Sequence, residues 1–411
     1  QFVPELETAR RAGKSLEGHS AGARGRKLNA YVAAGITSCH EPIRAEEVLN
    51  LLRLGVHVMI REGSIRRDLA AVASIRKRPV DTRNLILVSD GLSPTDLVEK
   101  GGMEYVVQKA IDCGFDPVAA VQMATLNAAE HFGLASLLGG IAPGRLADLV
   151  LVPDPKQVRA ELVISNGRVI AENGRLLVEP RKHAYRMASR QTVQLRADLT
   201  AADFRLQVPP QIKQPKVCAR VIEMVTDLVT REAILEVPVA NGEIQSQPGA
   251  DILKVAAVDR THQPGKTFVG LIRGFGLKSG AFACSAAWDT SDIIVVGAAD
   301  PDMAAAVNRI RTLQGGAVVC VAGRIQAELA LPIFGLLSES PVPEVVAALE
   351  RIQTELQRLG CFFPDPLLTL VTLTGAAIPF LRICEEGLVN LKDGRTVDLF
   401  VEASETALSE T

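Results

Sequence analysis

From residue 14 to residue 90 the apolar positions switch repeatedly between two periods. Four short runs read as strands: 15-SLEGH-19, 35-GITSCHE-41, 55-GVHVMIREGS-64 and 85-LILVSD-90. Between them, 26-RKLNAYVAA-34, 45-AEEVLNLLRL-54 and 67-RDLAAVASIRK-77 place apolar residues every three or four positions, the spacing of an amphipathic helix. Strand, helix, glycine, strand is the rhythm of a parallel βα succession, in which helices cover a face of the sheet. Two more helices are predicted after Asp90: 96–114, with a break at its glycines, and 117–133, opened by Pro117 and stopped by Gly133.

The period then changes to that of strands. Segments 147-ADLVLVP-153 and 161-ELVISNGRVIAENGRLLV-178, with their Asn and Gly turns, predict a small antiparallel sheet. From about residue 186 to 403 a separate α+β region is expected. Its strands include 267–275, 281–288, 293–298 and 317–323, and its helices 301–313 and 342–360; a polar tail, expected to fray, closes the chain. The expected division is therefore 1–140, 141–185 and 186–411.

Every strand of the first region ends on side chains capable of chemistry: His19; His40 with Glu41; Arg61 with Glu62 and Ser64; and Asp90. In a (β/α)8 barrel the carboxyl ends of the strands form the active-site face. Four strands leave two open edges, so the pattern accounts for half of such a barrel. Two imidazoles and a carboxylate from neighbouring strand ends, His19, His40 and Asp90, make a nitrogen and oxygen ligand set suited to zinc, manganese or iron. A metal held there lowers the pKa of a bound water, and a carboxylate beside it, Glu41, is placed to relay the proton. His57 lies inside its strand and His131 on a helix; both are read as structural.

Composition narrows the class. Charged residues make up 22% of the 411, the formal net charge is −2, and no basic run stands out, which argues against a nucleic-acid partner. The longest apolar runs, such as 293–299 and 317–322, fall far short of the roughly 20 residues that cross a bilayer, so no membrane span is expected. Seven cysteines without a CxxC pair predict free thiols and a cytoplasmic compartment. The opening at Gln1 has no cationic start followed by an apolar core, so it does not read as a signal peptide. The expectation is that the chain begins inside a larger product.

The run 18-GHSAGARGRKLNAYVAAGITSCHE-41 resembles the adenine deaminase branch of the metal-dependent amidohydrolases, in which a Gly-His turn precedes Lys-x-Leu-Asn-Ala-Tyr and a strand ending in His-Glu. The likeness continues through 59-MIREGS-64, 123-MATLNAAEHFGL-134 and 140-GIAPGRLADLVLV-152. It extends into the last region with 270-GLIRGFGLKSGAFA-283, 293-IIVVGAADPDMAAAVNRI-310 and 328-ELALPIFGLLS-338. The resemblance implies an α/β fold: the C-terminal half of an amidohydrolase (β/α)8 TIM-like barrel, a small β-sandwich segment and a C-terminal α+β domain. It implies hydrolysis of adenine to hypoxanthine and ammonia by a metal-activated hydroxide, as in purine salvage. By position, His19, His40 and Asp90 match metal ligands, Asp90 also a proton acceptor, while Arg61, Glu62 and Ser64 match a loop against the purine. The implied cofactor is a divalent metal, binuclear manganese or iron, with zinc the other candidate.

Three departures from the family pattern stand out. No His-x-His pair occurs anywhere in the sequence, and the family's bridging acidic residue belongs to the missing half. The chain has 90-DG-91 where two consecutive aspartates are usual. It has 288-WDTSD-292 where His-Asp-Ser-His-Asn is usual, although His262 is retained. Two rival readings follow: a diverged amidohydrolase acting on another cyclic amide or amidine, and a non-catalytic paralogue that binds a purine or a protein. The open strand edges predict a homo-oligomer or pairing with the missing N-terminal half.

Overall fold

Alternation decides which way the first sheet faces. In β2 (His57–Arg61), Val58 and Ile60 are buried, while His57 and Met59 on the opposite face remain half-buried. The computed structural model describes residues 3–401. In it β1 (Ser38–Cys39), β2 and β3 (Leu85–Val88) form a parallel three-stranded sheet in sequence order, with Ser38 opposite His57 and Arg61 opposite Val88. Helix Gly25–Ala33 before β1 and Ala45–Arg53 between β1 and β2, with the later Met103–Asp112 and Pro117–Ala124, supply Leu28, Val48, Leu49, Val106 and Met123 to one core with Val58, Ile60, Leu85 and Leu87. A parallel sheet buries a face under its crossover helices in this way.

Several elements depart from the pattern. Residues 15–19, expected as a strand, form no regular ladder; the backbone and hydroxyl of Thr37 both donate to Leu16 O, at 2.8 and 3.0 Å. The stretch 67–77 is one α-turn, Leu69–Val72, running into a 3-10 turn, Ala73–Lys77. The helix expected over 117–133 divides at Thr125, whose hydroxyl bonds to Val121 O and whose backbone leaves helical geometry, giving Pro117–Ala124 and Leu126–His131.

The chain divides into two compact units, 1–182 and 183–411. The first also contains a four-stranded antiparallel sheet, β4 (Leu149–Leu151), β5 (Leu162–Ser165), β6 (Arg168–Glu172) and β7 (Arg175–Leu176). The second is built on an eight-stranded sheet in the order Thr230–Pro238, Lys216–Met224, Thr267–Arg273, Ile252–Asp259, Asp292–Gly297, Ala281–Cys284, Gly316–Val321, Arg324–Ala330. Only the Lys216–Met224 and Thr267–Arg273 pair is parallel. Helices Asp300–Leu313 and Val342–Arg358 pack on this sheet. Ile252–Asp259 is buried throughout, and at its centre Lys254 has no exposure; its ammonium donates to Phe204 O at 3.0 Å and to Asp300 at 2.7 and 2.8 Å.

The chain stays ordered past the helix at 342–358: helix Pro366–Val371 and the three-stranded sheet Leu381–Cys384, Gly387–Asn390, Arg395–Val397 follow. The polar tail expected to fray after the helix at 342–358 is thus regular structure as far as Val397, and only its end, 402–411, lies outside the described residues. His262 belongs to the second unit, with Nδ1 3.1 Å from Ser291 Oγ, the serine that stands where the resembling pattern has a histidine. All seven cysteines are free. Among the described residues no helix is long and apolar enough to cross a membrane.

Candidate metal centre

His19 owes its position to two residues of the motif around it. Gly18 presses so closely on the next strand that a Cβ there would lie 2.4 Å from both Ile36 Cγ2 and Ser38 O. Tyr31, from the KLNAYVAAG run, accepts the backbone N–H of His19 on its hydroxyl at 2.8 Å. His40 and Glu41 follow directly on β1, Arg61 closes β2 and Asp90 lies two residues past β3. All four therefore stand at the carboxyl ends of the strands. Gly63 serves the same packing: a Cβ on it would meet Ser89 O at 2.0 Å, and Ser64 N, next in the chain, donates to Gly91 O at 2.9 Å.

The structure brings His19, His40 and Glu41 together. One ligand atom from each lies within 4.8 Å of the others. His19 Nδ1 and His40 Nε2 are 3.2 Å apart, and Glu41 Oε1 is 3.4 Å from the first and 3.3 Å from the second. Two imidazole nitrogens and a carboxylate oxygen converging on one point suit a divalent cation of borderline softness. The Glu41 carboxylate is largely buried, whereas His19 is half exposed. Such a set is open on one side, as a site admitting water and substrate must be.

Asp90 lies outside that group of three. Its Oδ2 accepts from Arg61 Nη1 at 3.2 Å, and the same nitrogen donates to Glu41 Oε1 at 2.6 Å. Arg61 is itself buried and is gripped from behind by Asp68, whose Oδ2 lies 3.2 Å from Nε and 3.1 Å from Nη2. The guanidinium thus faces three carboxylates. Glu62 is buried beside it, accepts Leu69 N at 3.3 Å, and has its carboxyl pushed above the usual range, chiefly by burial. Ser64 Oγ accepts Ser93 N at 2.8 Å, tying the second strand end to the third. Asp68 and Tyr31 are the members of this constellation that the strand-end pattern does not single out. Tyr31 sat inside a quoted motif; Asp68, seven residues after Arg61, carried no signal of its own.

His57 and His131 stack with ring centroids 4.4 Å apart, and His131 Nε2 lies 3.0 Å from Glu17. Glu17 also accepts from Ser38. Burial raises the Glu17 carboxyl, but the bonds from Ser38 and His131 outweigh it and leave it below the ordinary value.

Comparison with known proteins places these residues in a family. Residues 6–170 match the amidohydrolase family and residues 227–395 the adenine deaminase C-terminal domain. An adenine deaminase of Moorella thermoacetica is 41% identical over 96% of this chain and 66% of its own length. One from Cenarchaeum symbiosum is 38% identical over 92% and 61%. The chain thus spans about two thirds of the length of the curated relatives it matches. Among solved structures, N-acetyl-D-glucosamine-6-phosphate deacetylase from Mycobacterium smegmatis aligns over 41% of this chain and 51% of its own, with 23% identity and a TM-score of 0.35. An adenosine deaminase from Xanthomonas campestris aligns over 44% and 50%, with 17% identity and a TM-score of 0.33. An adenine deaminase of Desulforamulus reducens is 35% identical over 98% of this chain and 68% of its own length, and with both family descriptions matched in order, this chain belongs to the adenine deaminase family.

Proposed function

We propose that this chain carries one side of the active site of a hydrolase that converts adenine and water to hypoxanthine and ammonia, acting in the cytoplasm. The observation that carries the reading is the convergence of His19, His40 and Glu41 at the carboxyl edge of the parallel sheet in a chain of the adenine deaminase family. These three residues would hold a divalent cation, with Asp90 beside them. When bound, such a cation lowers the pKa of water and polarises the group under attack. Asp90, half exposed and held by Arg61, accepts the proton that the attacking water gives up. Glu41 is the second carboxylate through which a proton reaches the purine ring. Oxygen adds at the carbon bearing the amino group, and protonation of that group lets ammonia leave with the C–N bond. Arg61, Glu62 and Ser64 close the purine side of the site, Glu62 and Ser64 through the strand end that their hydrogen bonds hold in place.

The resemblance points to manganese or iron in a pair over a single zinc, and a pair needs ligands beyond these three. We therefore propose that the half barrel, residues 1–140, works against a complementary βα half supplied by a longer product, by another chain or in a homo-oligomer. The edges of the parallel sheet support this: β1 and β3 each pair with β2 alone, leaving their outer edges without a ladder partner among the described residues. Metal content and ammonia release from adenine, measured on the chain with and without the complementary half, test both proposals. Metal uptake by the chain alone, with adenine turnover appearing only on addition of that half, is the expected result. Turnover of a different cyclic amidine, with none of adenine, would overturn the substrate assignment.

A further inference from the structure

The guanidinium of Arg61 links side chains that no backbone ladder connects. Glu41 follows β1 and Asp90 follows β3, and these two strands flank β2 without touching each other. Their separation is set from the middle, by Arg61 Nη1 bonding to Glu41 Oε1 and Asp90 Oδ2 together. The oxygen that Arg61 holds on Glu41 is also the one facing both imidazoles. On the far side Asp68 Oδ2 accepts from Nε at 3.2 Å and lies 3.1 Å from Nη2 without a hydrogen bond to it, and the Asp68 backbone N–H donates to Arg61 O at 2.9 Å, so anchor and clamp form a closed unit. Burying a charged side chain this deeply is costly unless it is paired, and a planar fork with carboxylates on two edges is suited to such bridging.

We propose that Arg61 is a positioning residue: clamped by Asp68, its guanidinium sets the separation and orientation of Glu41 and Asp90 around the cation site. The inference rests on the cation-site reading above. Residues that orient ligands from behind typically change metal affinity by about 10–100-fold when removed. Asp68 is the cleaner handle, because it touches neither Glu41 nor the imidazoles in the bonds described.

The test is titration of the metal-free chain with Co2+, followed by the visible absorption of the bound ion, for the wild type, Asp68→Asn and Arg61→Lys. Far-UV circular dichroism confirms the fold of each, and Asp68→Asn decides the matter if Arg61→Lys does not fold. The expected result is binding weakened by about 10–100-fold in both variants, with a shifted absorption band showing that the coordination itself has changed. A guanidinium acting only as a charge would leave the affinity and the band of the charge-conserving Arg61→Lys unaltered, and Asp68→Asn would weaken binding without moving its band; an unaltered band in both variants overturns the proposal while leaving the cation site standing. A wild-type chain that takes up no Co2+ overturns the cation site, and this inference with it.

Discussion

Asp292 closes the 288–292 run in which this chain departs from the family pattern, and its replacement by asparagine makes a quantitative prediction. The side chain has no exposure, and neither carboxylate oxygen has a hydrogen-bond partner among the described residues. Burial pushes its pKa from 3.8 up to about 6, with the carboxylates of Glu385 and Asp259 adding to the effect. Between about pH 4 and pH 6 the folded chain keeps a proton that the unfolded chain has released. This group therefore favours the fold at low pH, and that advantage is lost as the pH rises to about 6. The interval, at 1.36 kcal/mol per pH unit, amounts to about 3 kcal/mol at neutral pH. Asp292→Asn imitates the protonated acid and should stabilise the second unit by about 2–3 kcal/mol at pH 7.5. At pH 4 the two proteins should agree to within about 0.5 kcal/mol. Trp288, the single tryptophan, sits four residues away, so urea unfolding followed by its fluorescence reads the correct unit. A variant no more stable than wild type at pH 7.5, or a gain as large at pH 4 as at pH 7.5, would show that the carboxylate is not held against its charge.

Three further outcomes are expected. Lys254→Met leaves the carboxylate of Asp300 without its buried partner and should destabilise the second unit by about 3–5 kcal/mol, with Lys254→Met/Asp300→Leu recovering much of the loss; urea midpoints check this. His40→Ala removes one of the three converging ligands and should abolish stoichiometric Co2+ binding while leaving far-UV circular dichroism unchanged, because the side chain is 32% exposed and lies at the edge of the sheet. Gly63→Ala drives a methyl into Ser89 O and should cost about 1–3 kcal/mol, with the thermal midpoint of the first unit falling, because backbone lies on both sides of the contact.

The local periods were enough to place the β1–β3 strands, the helices Gly25–Ala33 and Ala45–Arg53 and the side sheet, because each of these buries one stripe or one face and the apolar spacing records it. They also placed His40, Glu41, Arg61 and Asp90 at strand ends, since position within a strand is a one-dimensional property; His19, expected to end a strand, follows a segment that forms none. Thr125 shows the limit: its neighbours are good helix formers, but its hydroxyl competes for Val121 O and divides the helix. Which polar groups meet across strands was decided by tertiary structure alone. Spacing groups His40 with Glu41, but only the folded path of the 15–19 segment, tied to Thr37 through Leu16 O, brings His19 against both. Nothing in the order of residues says that Arg61 turns toward Glu41 and Asp90, or that Asp68 closes on it from behind. A buried guanidinium takes whichever carboxylates the packing of three strand ends leaves within reach, and that is a property of the assembled sheet.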